Sequence, residues 1–185
     1  LTGGEDGRVC VWEAASGELI ETLPLSGKAG REAVTALAYA PDGARFAWGT
    51  SPHSARAATG AGSITVVRAA DLATERTLGN AGDGVESLAF FPDGRRLVSG
   101  SVLYNAQGEN RGQADIWDAD TGERLVRLTG PDEHVLDTDV SADGTQIATA
   151  GIDWDVPGRH NDFFVKLWDA KTGEPVHRLA GHLLA

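Results

Sequence analysis

Residues 114–128 read ADIWDADTGERLVRL. Ile116-Trp117 is β-forming, and Asp118-Ala119-Asp120-Thr121-Gly122 is rich in turn formers. Glu123 to Leu128 then alternates polar and apolar, so the stretch reads as a strand, a tight turn and a second strand. It matters because it recurs. VCVWEAASGELIETL from Val9, ITVVRAADLATERTL from Ile64 and VKLWDAKTGEPVHRL from Val165 align with it position for position.

A second motif precedes the last three copies: VTALAYAPDGARFAWGT from Val34, VESLAFFPDGRRLVSGS from Val85 and VLDTDVSADGTQIATAG from Val135. Its anchors keep the same phase. Asp42, Asp93 and Asp143 are 51 and 50 residues apart, and so are Phe46, Leu97 and Ile147. Val67, Trp117 and Trp168 are 50 and 51 apart, whereas Trp12 to Val67 is 55, with the extra residues in the linker 25–33. Agreement at independent anchors establishes an internal repeat of about fifty residues.

Each repeat reads as four short strands, here called a to d. In the third copy Val85, Leu88 and Phe90 give strand a, Leu97 to Gly100 strand b, Ile116-Trp117 strand c and Glu123 to Leu128 strand d. Pro92-Asp93-Gly94 joins a to b: Pro fixes φ, Asp bonds nearby backbone and Gly takes the left-handed conformation. Strand b is rich in small residues (Ala47, Gly49, Ser99, Gly100, Ala148, Ala150), and strand c is apolar at both parities, as in Ile64-Thr65-Val66-Val67. A sheet with one wet face would alternate, so these sheets are expected to be covered on both faces.

These units resemble the WD repeats of the β-propeller family, over essentially the whole chain. Trp117-Asp118 and Trp168-Asp169 match the name-giving dipeptide, Trp12-Glu13 is close to it, and Val67-Arg68 has lost it. The Pro-Asp-Gly turn matches at 41–43 and 92–94, with Ala142 replacing Pro in the last copy, and Gly181-His182 matches the family's Gly-His mark. The resemblance implies an all-β propeller of four-stranded antiparallel blades. About three and a half are expected here: a partial blade at 1–24, blades at 33–79, 84–129 and 134–180, and the start of another repeat at 181–185. It also implies a network joining a His before strand a, a Ser or Thr on b, the Trp on c and an Asp in the b–c turn. His is missing before Val34 and Val85, His134 directly precedes Val135, and the turn Asp is clear only in Glu5-Asp6-Gly7. The network is therefore expected to be degraded, with the Trp side chains held mainly by packing.

The chain has no Met and opens on Leu1. Family propellers commonly hold about seven blades, roughly 350 residues at this spacing. The reading favours a piece of a larger ring, whose remaining blades would cover the open ends, over a ring closed by a second copy or a four-bladed ring. The cellular compartment stays open.

Composition narrows the partners. The 185 residues are 41% apolar and carry a net charge of −11. An acidic surface repels phosphate, so nucleic acid is not an expected partner. No apolar run approaches the ~20 residues of a membrane-spanning helix, so no membrane insertion is expected. With a single Cys there is no internal disulfide framework, and Cys10, in a strand, reads as a small buried thiol.

The unusual feature is the length of three b–c connections: 51–63, 102–113 and 152–164, against the short Glu5-Asp6-Gly7-Arg8. All follow the same strand, so all are expected on one rim, with the 25–33 linker reaching it too. Insertions repeated on one face often mark a binding face. The candidate protein- or peptide-binding residues are His53, Arg56, Tyr104, Asn105, Arg111, Trp154, Arg159, His160 and Phe163, because aromatic residues and Arg are enriched at interface hot spots. Solvated hairpin extensions are the alternative reading of the same segments. Trp12, Trp117 and Trp168 recur with the repeat and read as core; Asp42, Asp93, Asp143, Asp118 and Asp169 read as turn and repeat residues.

No catalytic, cofactor or metal site is assigned. Asp153, Asp155, His160 and Asp162 lack the Gly and terminal Glu of a calcium loop. Gly60-Ala61-Gly62 has no third Gly and no following helix, and there is no Gly-x-Ser-x-Gly or His-Glu-x-x-His. The expected function is a non-enzymatic interaction scaffold, similar to Ala-, Gly-, Asp- and Arg-rich bacterial proteins with such propellers. The alternatives are a quinone-dehydrogenase-like propeller or a regulatory propeller fused to a catalytic domain, and a purely structural arc whose function lies elsewhere. In quinone-type repeats the Trp follows the Thr-Gly; here Trp117 and Trp168 precede it, which favours the scaffold.

Overall fold

The computed structural model describes residues 1–24, 32–52, 62–79, 81–104, 110–128, 134–153 and 162–182. These form four antiparallel sheets and no helix. The first sheet has three strands, β1 (Thr2–Gly3), β2 (Arg8–Trp12) and β3 (Leu19–Pro24). The second holds β4 (Glu32–Tyr39), β5 (Arg45–Pro52), β6 (Ile64–Arg68) and β7 (Thr74–Leu78). The third holds β8 (Gly84–Phe90), β9 (Arg96–Tyr104), β10 (Asn110–Asp118) and β11 (Arg124–Arg127). The fourth holds β12 (His134–Val140), β13 (Gln146–Asp153), β14 (Asp162–Asp169) and β15 (Pro175–His182). Each pairs its strands in chain order, as a meander must when every connection is a hairpin. This is a propeller of about three and a half blades. Gly181 and His182 belong to β15, where His182 faces Phe163; they were expected to open a further repeat.

The turns explain the meander. Gly43, Gly94 and Gly144 adopt φ of 68°, 66° and 69°, which only Gly enters without a Cβ penalty. Ahead of each, an Asp carboxylate accepts a backbone N–H: Ala44 to Asp42 at 2.9 Å, Arg95 to Asp93 at 2.9 Å, Thr145 to Asp143 at 3.0 Å. Asp118 accepts the N–H groups of Asp120 and Thr121, and Asp169 those of Lys171 and Thr172. In the second sheet Leu72 stands where Gly122 and Gly173 stand in the next two, and it is forced to φ 58°.

The core lies between sheets, not within them. Val9 packs with Val34, Phe46, Trp48 and Val67 between the first and second sheets. Trp117 packs with Ala47, Ile64, Val66 and Leu78 between the second and third. Trp168 packs with Val98, Ala114, Ile116 and Leu128 between the third and fourth. Among the described residues, substantial contacts between sheets all join consecutive ones, and none joins the first to the last.

Two expectations about the core need correction. Trp12 is 41% exposed, against 3% for Trp117 and 0% for Trp168. Trp117 and Trp168 pack back on the sheet before them, and among the described residues no sheet lies on that side of β2. Cys10 shares that open face and is only half-buried, with Sγ 3.9 Å from Thr22 Oγ1.

Candidate functional rim

In the third and fourth sheets the b–c connections begin as hairpin extensions, the alternative reading of these segments. In the third sheet the insertion continues the hairpin: Gln113 pairs with Ser101, Gly112 with Val102, Arg111 with Leu103 and Asn110 with Tyr104. In the fourth, Gly151 pairs with Phe164, Ile152 with Phe163 and Asp153 with Asp162. Strand c is therefore nine and eight residues long there, against five in the first two sheets. The β-forming run Val102-Leu103-Tyr104 is the sequence signal for this extension.

The second sheet shows that b–c and d–a connections share a rim. Gly62, just before strand c, donates its N–H to Gly82 O at 2.7 Å and accepts from Ala81 N at 3.3 Å. Ala81 and Gly82 belong to the connection between β7 and β8. There is no room for side chains here: a Cβ on Gly62 would lie 2.9 Å from Thr50 O and 3.1 Å from Gly84 Cα.

Of the proposed rim residues, Arg111 is exposed on β10 and Phe163 is half-buried on β14, beside Ile152 and His182. Tyr104 ends β9. His53, Arg56, Asn105, Trp154, Arg159 and His160 lie outside the described residues, as does the linker 25–31; so do Asp155 and His160 of the acidic segment weighed as a metal site. Among the described residues there is no group of three or more metal-ligating side chains.

The repeat network is better preserved than expected. Trp117 Nε1 donates to Ser99 Oγ, Trp168 Nε1 to Thr149 Oγ1 and Trp12 Nε1 to Thr2 Oγ1, each at 2.9 Å. The strand b to strand c link survives in three sheets, so these indoles are held by a hydrogen bond as well as by packing. The second sheet has no such bond, and the buried Trp48 Nε1 has no partner.

Below the extended hairpin of the third sheet lies a polar cluster that sequence reasoning missed. Asp115, fully buried, accepts Arg127 Nε at 2.8 Å and Nη2 at 3.1 Å, and also a bond from Gln113 Nε2. The Asp115 carboxylate holds the Arg127 guanidinium above its usual pKa. On the fourth sheet Lys166 Nζ lies 5.4 Å from the Phe164 ring centre, and the Arg178 guanidinium 4.7 Å from it. At the opposite rim Arg45 ties two sheets, donating to Asp120 Oδ1 at 2.6 Å and to Gly94 O at 2.6 Å. No helix of the described residues is long and apolar enough to cross a membrane.

Comparison with known proteins agrees with this architecture. The family described as WD domain, G-beta repeat matches residues 73–102, which run from strand d of the second sheet into strands a and b of the third. WD repeat and SOCS box-containing protein 1 from Homo sapiens is 28% identical over 90% of this chain, and its Takifugu rubripes counterpart 29% identical over 89%. The chain spans 46% of the length of each, less than half of these relatives. These relatives are vertebrate and lend no support to a bacterial origin. Among solved structures, Kuenenia stuttgartiensis hydrazine synthase superposes with a TM-score of 0.72 over 95% of this chain and 44% of its own, at 18% identity, which shows likeness of fold alone. The same unit is thus found in the residues and in the sheets, residues 73–102 match the WD domain, G-beta repeat, and the fold is that of a WD-repeat-like β-propeller.

Proposed function

We propose that the chain is a non-enzymatic interaction scaffold that presents its extended b–c hairpins on one rim to a protein or peptide partner. One observation carries this reading. Strand c continues outward by three or four residues in the third and fourth sheets, beyond the five-residue strands c of the first two. Among these residues Arg111 is exposed and Phe163 half-buried, so the extension sets side chains at the surface, although Gln113 and Phe164 are buried. The relatives support a protein-interaction role through their names, which set WD repeats beside a SOCS box as one module of a longer protein. In this reading the blades run 33–79, 84–129 and 134–180 behind a partial blade at 1–24, and Arg111, Phe163, Tyr104 and Trp154 are contact residues.

Replacing those four residues by Ala tests the reading. Capture of partner protein from the source cell is expected to fall at least tenfold with an unchanged melting temperature. Unchanged capture removes the rim from the function.

A further inference from the structure

One cross-strand position sets the fourth sheet apart. In the third sheet Asp115 stands opposite Arg127 and accepts its Nε at 2.8 Å. The same position pairs Thr65 with Thr77 in the second sheet and Cys10 with Thr22 in the first. In the fourth it pairs Lys166 with Arg178, so a cation stands where Asp115 stands. Both lie on the face of Trp168, towards the third sheet, and not on the face that a further blade would cover. They flank the Phe164 ring, whose centre is 5.4 Å from Lys166 Nζ and 4.7 Å from the Arg178 guanidinium. Arg178 is exposed and makes no ion pair among the described residues. Beside it a depression of about 190 Å³ is lined by Lys166, Trp168, Pro175, Val176, His177 and Arg178. Small-molecule sites run to roughly 300–1,000 Å³, so this one suits a single side chain of a larger partner.

The backbone beside the depression is open as well. β15 is outermost in its sheet and pairs along one edge only, with β14. It is eight residues long, against six, five and four for the outer strands β3, β7 and β11. Its only ionisable side chains are His177, Arg178 and His182, none of them acidic. An open strand edge is a template for one more strand. Pro175 has no N–H to donate, which places added pairing from Val176 onwards.

We propose that this edge binds an extended peptide segment of a partner protein, whose backbone pairs with β15 and whose Asp or Glu side chain enters the depression to bond Arg178. The carboxylate takes the part that Asp115 takes for Arg127, a charge-assisted bond to a guanidinium. Main-chain pairing supplies affinity, and the pocket selects the side chain. The net charge of −11 repels a long polyanion, so one carboxylate on an otherwise neutral strand is the fitting ligand. The site lies on the outer edge of the fourth sheet, goes beyond the rim reading and does not depend on it.

Fluorescence anisotropy of the 185-residue chain with a labelled peptide, Thr-Val-Thr-Glu-Val-Thr-Val, tests it. Saturable binding with a Kd below about 1 mM is expected. Gln in place of the peptide's Glu is expected to weaken binding about tenfold, the size of one charge-assisted bond. Pro in place of each Val keeps the charge but bars strand pairing, and is expected to abolish binding. Arg178→Ala alters an exposed side chain, so the melting temperature is expected to hold while the preference for Glu over Gln disappears. Tyr104→Ala with Arg111→Ala, on the rim, is expected to bind the peptide as wild type does. The proposal is overturned by a wild type that binds no peptide, by equal binding of the Glu peptide and either control, or by an Arg178→Ala protein that keeps the preference. Loss of binding in the rim variant, or full displacement by an equal concentration of inorganic phosphate, overturns it too.

Discussion

Trp48 and Val67 occupy one cluster, and between them they exchange the roles that strands b and c hold elsewhere. In the third and fourth sheets strand b gives a hydroxyl, Ser99 or Thr149, and strand c gives the indole that donates to it. In the second sheet the indole comes from strand b and the small residue from strand c. Both side chains face the first sheet, since Phe46 pairs with Val67 and Trp48 with Thr65. Volume is conserved but the hydrogen bond is lost.

The exchange predicts a coupling. Trp48→Ser alone leaves a cavity, and Val67→Trp alone overpacks the cluster; each is expected to cost about 2–4 kcal/mol. The double variant restores the arrangement of the other sheets. It is expected to be more stable than the sum of the single changes by about 1–3 kcal/mol in urea denaturation, the size found for contacting residues. Additive costs would show that the two positions do not share one space.

Conservative changes separate packing from hydrogen bonding. Trp117→Phe removes the donor to Ser99 and leaves a buried hydroxyl unpaired, at about 1–3 kcal/mol beyond the packing loss. Trp48→Phe removes an Nε1 that has no partner, so only packing is lost. The expected order of melting temperatures is wild type, Trp48→Phe, then Trp117→Phe.

How far these relations could be read from sequence depends on how local their cause is. Asp93-Gly94 and Thr121-Gly122 act within a turn, and they were legible because four residues suffice to specify them. The bond from Trp168 to Thr149 depends on register across two strands, so its survival was invisible even though both residues were. The exchange at Trp48 was legible in principle, since Trp48, Ser99 and Thr149 keep the 51 and 50 spacing of the repeat. The extended hairpins were legible only as an alternative reading, because Gly108, Asn110 and Gly112 are turn formers that stand against the β-forming run Val102-Leu103-Tyr104. The exposure of Trp12 follows from which sheet lies beside it, which no single repeat encodes.

Two glycines with the same backbone predict different costs. Gly17 and Gly173 have φ of 73° and 74° at equivalent turns. A Cβ on Gly17 meets nothing within 4 Å, so Gly17→Ala carries only the conformational cost, about 1 kcal/mol. On Gly173 it would lie 2.6 Å from Val126 Cγ1 and 2.9 Å from Arg127 O, on the neighbouring sheet. Gly173→Ala is expected to cost about 2–3 kcal/mol more by thermal unfolding.

The turn carboxylates predict acid sensitivity. The hydroxyl of Ser141 and the N–H and hydroxyl of Thr145 bring Asp143 down from 3.8 to about 2. A group lowered on folding stabilises above its unfolded pKa, and that contribution fades as pH falls from 3.8 through 2. Asp169 is lowered in the same direction by the Thr172 N–H, and Asp120 by the Arg45 guanidinium. The melting temperature is therefore expected to drop across this window. Asp143→Asn is expected to melt lower than wild type at pH 7, with the gap closing towards pH 2. A gap independent of pH would mean that the charge at this turn is irrelevant.

The pair of Asp115 with Arg127 gives the sharpest contrast between losing one partner and losing both. Asp115 is fully buried, while the Arg127 side chain is 47% exposed. Removing the cation with Arg127→Met leaves a buried carboxylate whose nearest remaining cation, Arg124, is 3.8 Å away. For a fully buried pair the cost would be about 3–5 kcal/mol, and the partial exposure of Arg127 brings it to about 2–3 kcal/mol. The double change Asp115→Leu with Arg127→Met removes the charge that needed a partner and adds apolar surface beside the cluster of Leu78 and Trp117. It is expected to fall within about 1 kcal/mol of wild type in urea denaturation. A double variant as unstable as Arg127→Met alone would mean that the geometry of Gln113, Asp115 and Arg127 itself holds the extended hairpin in place.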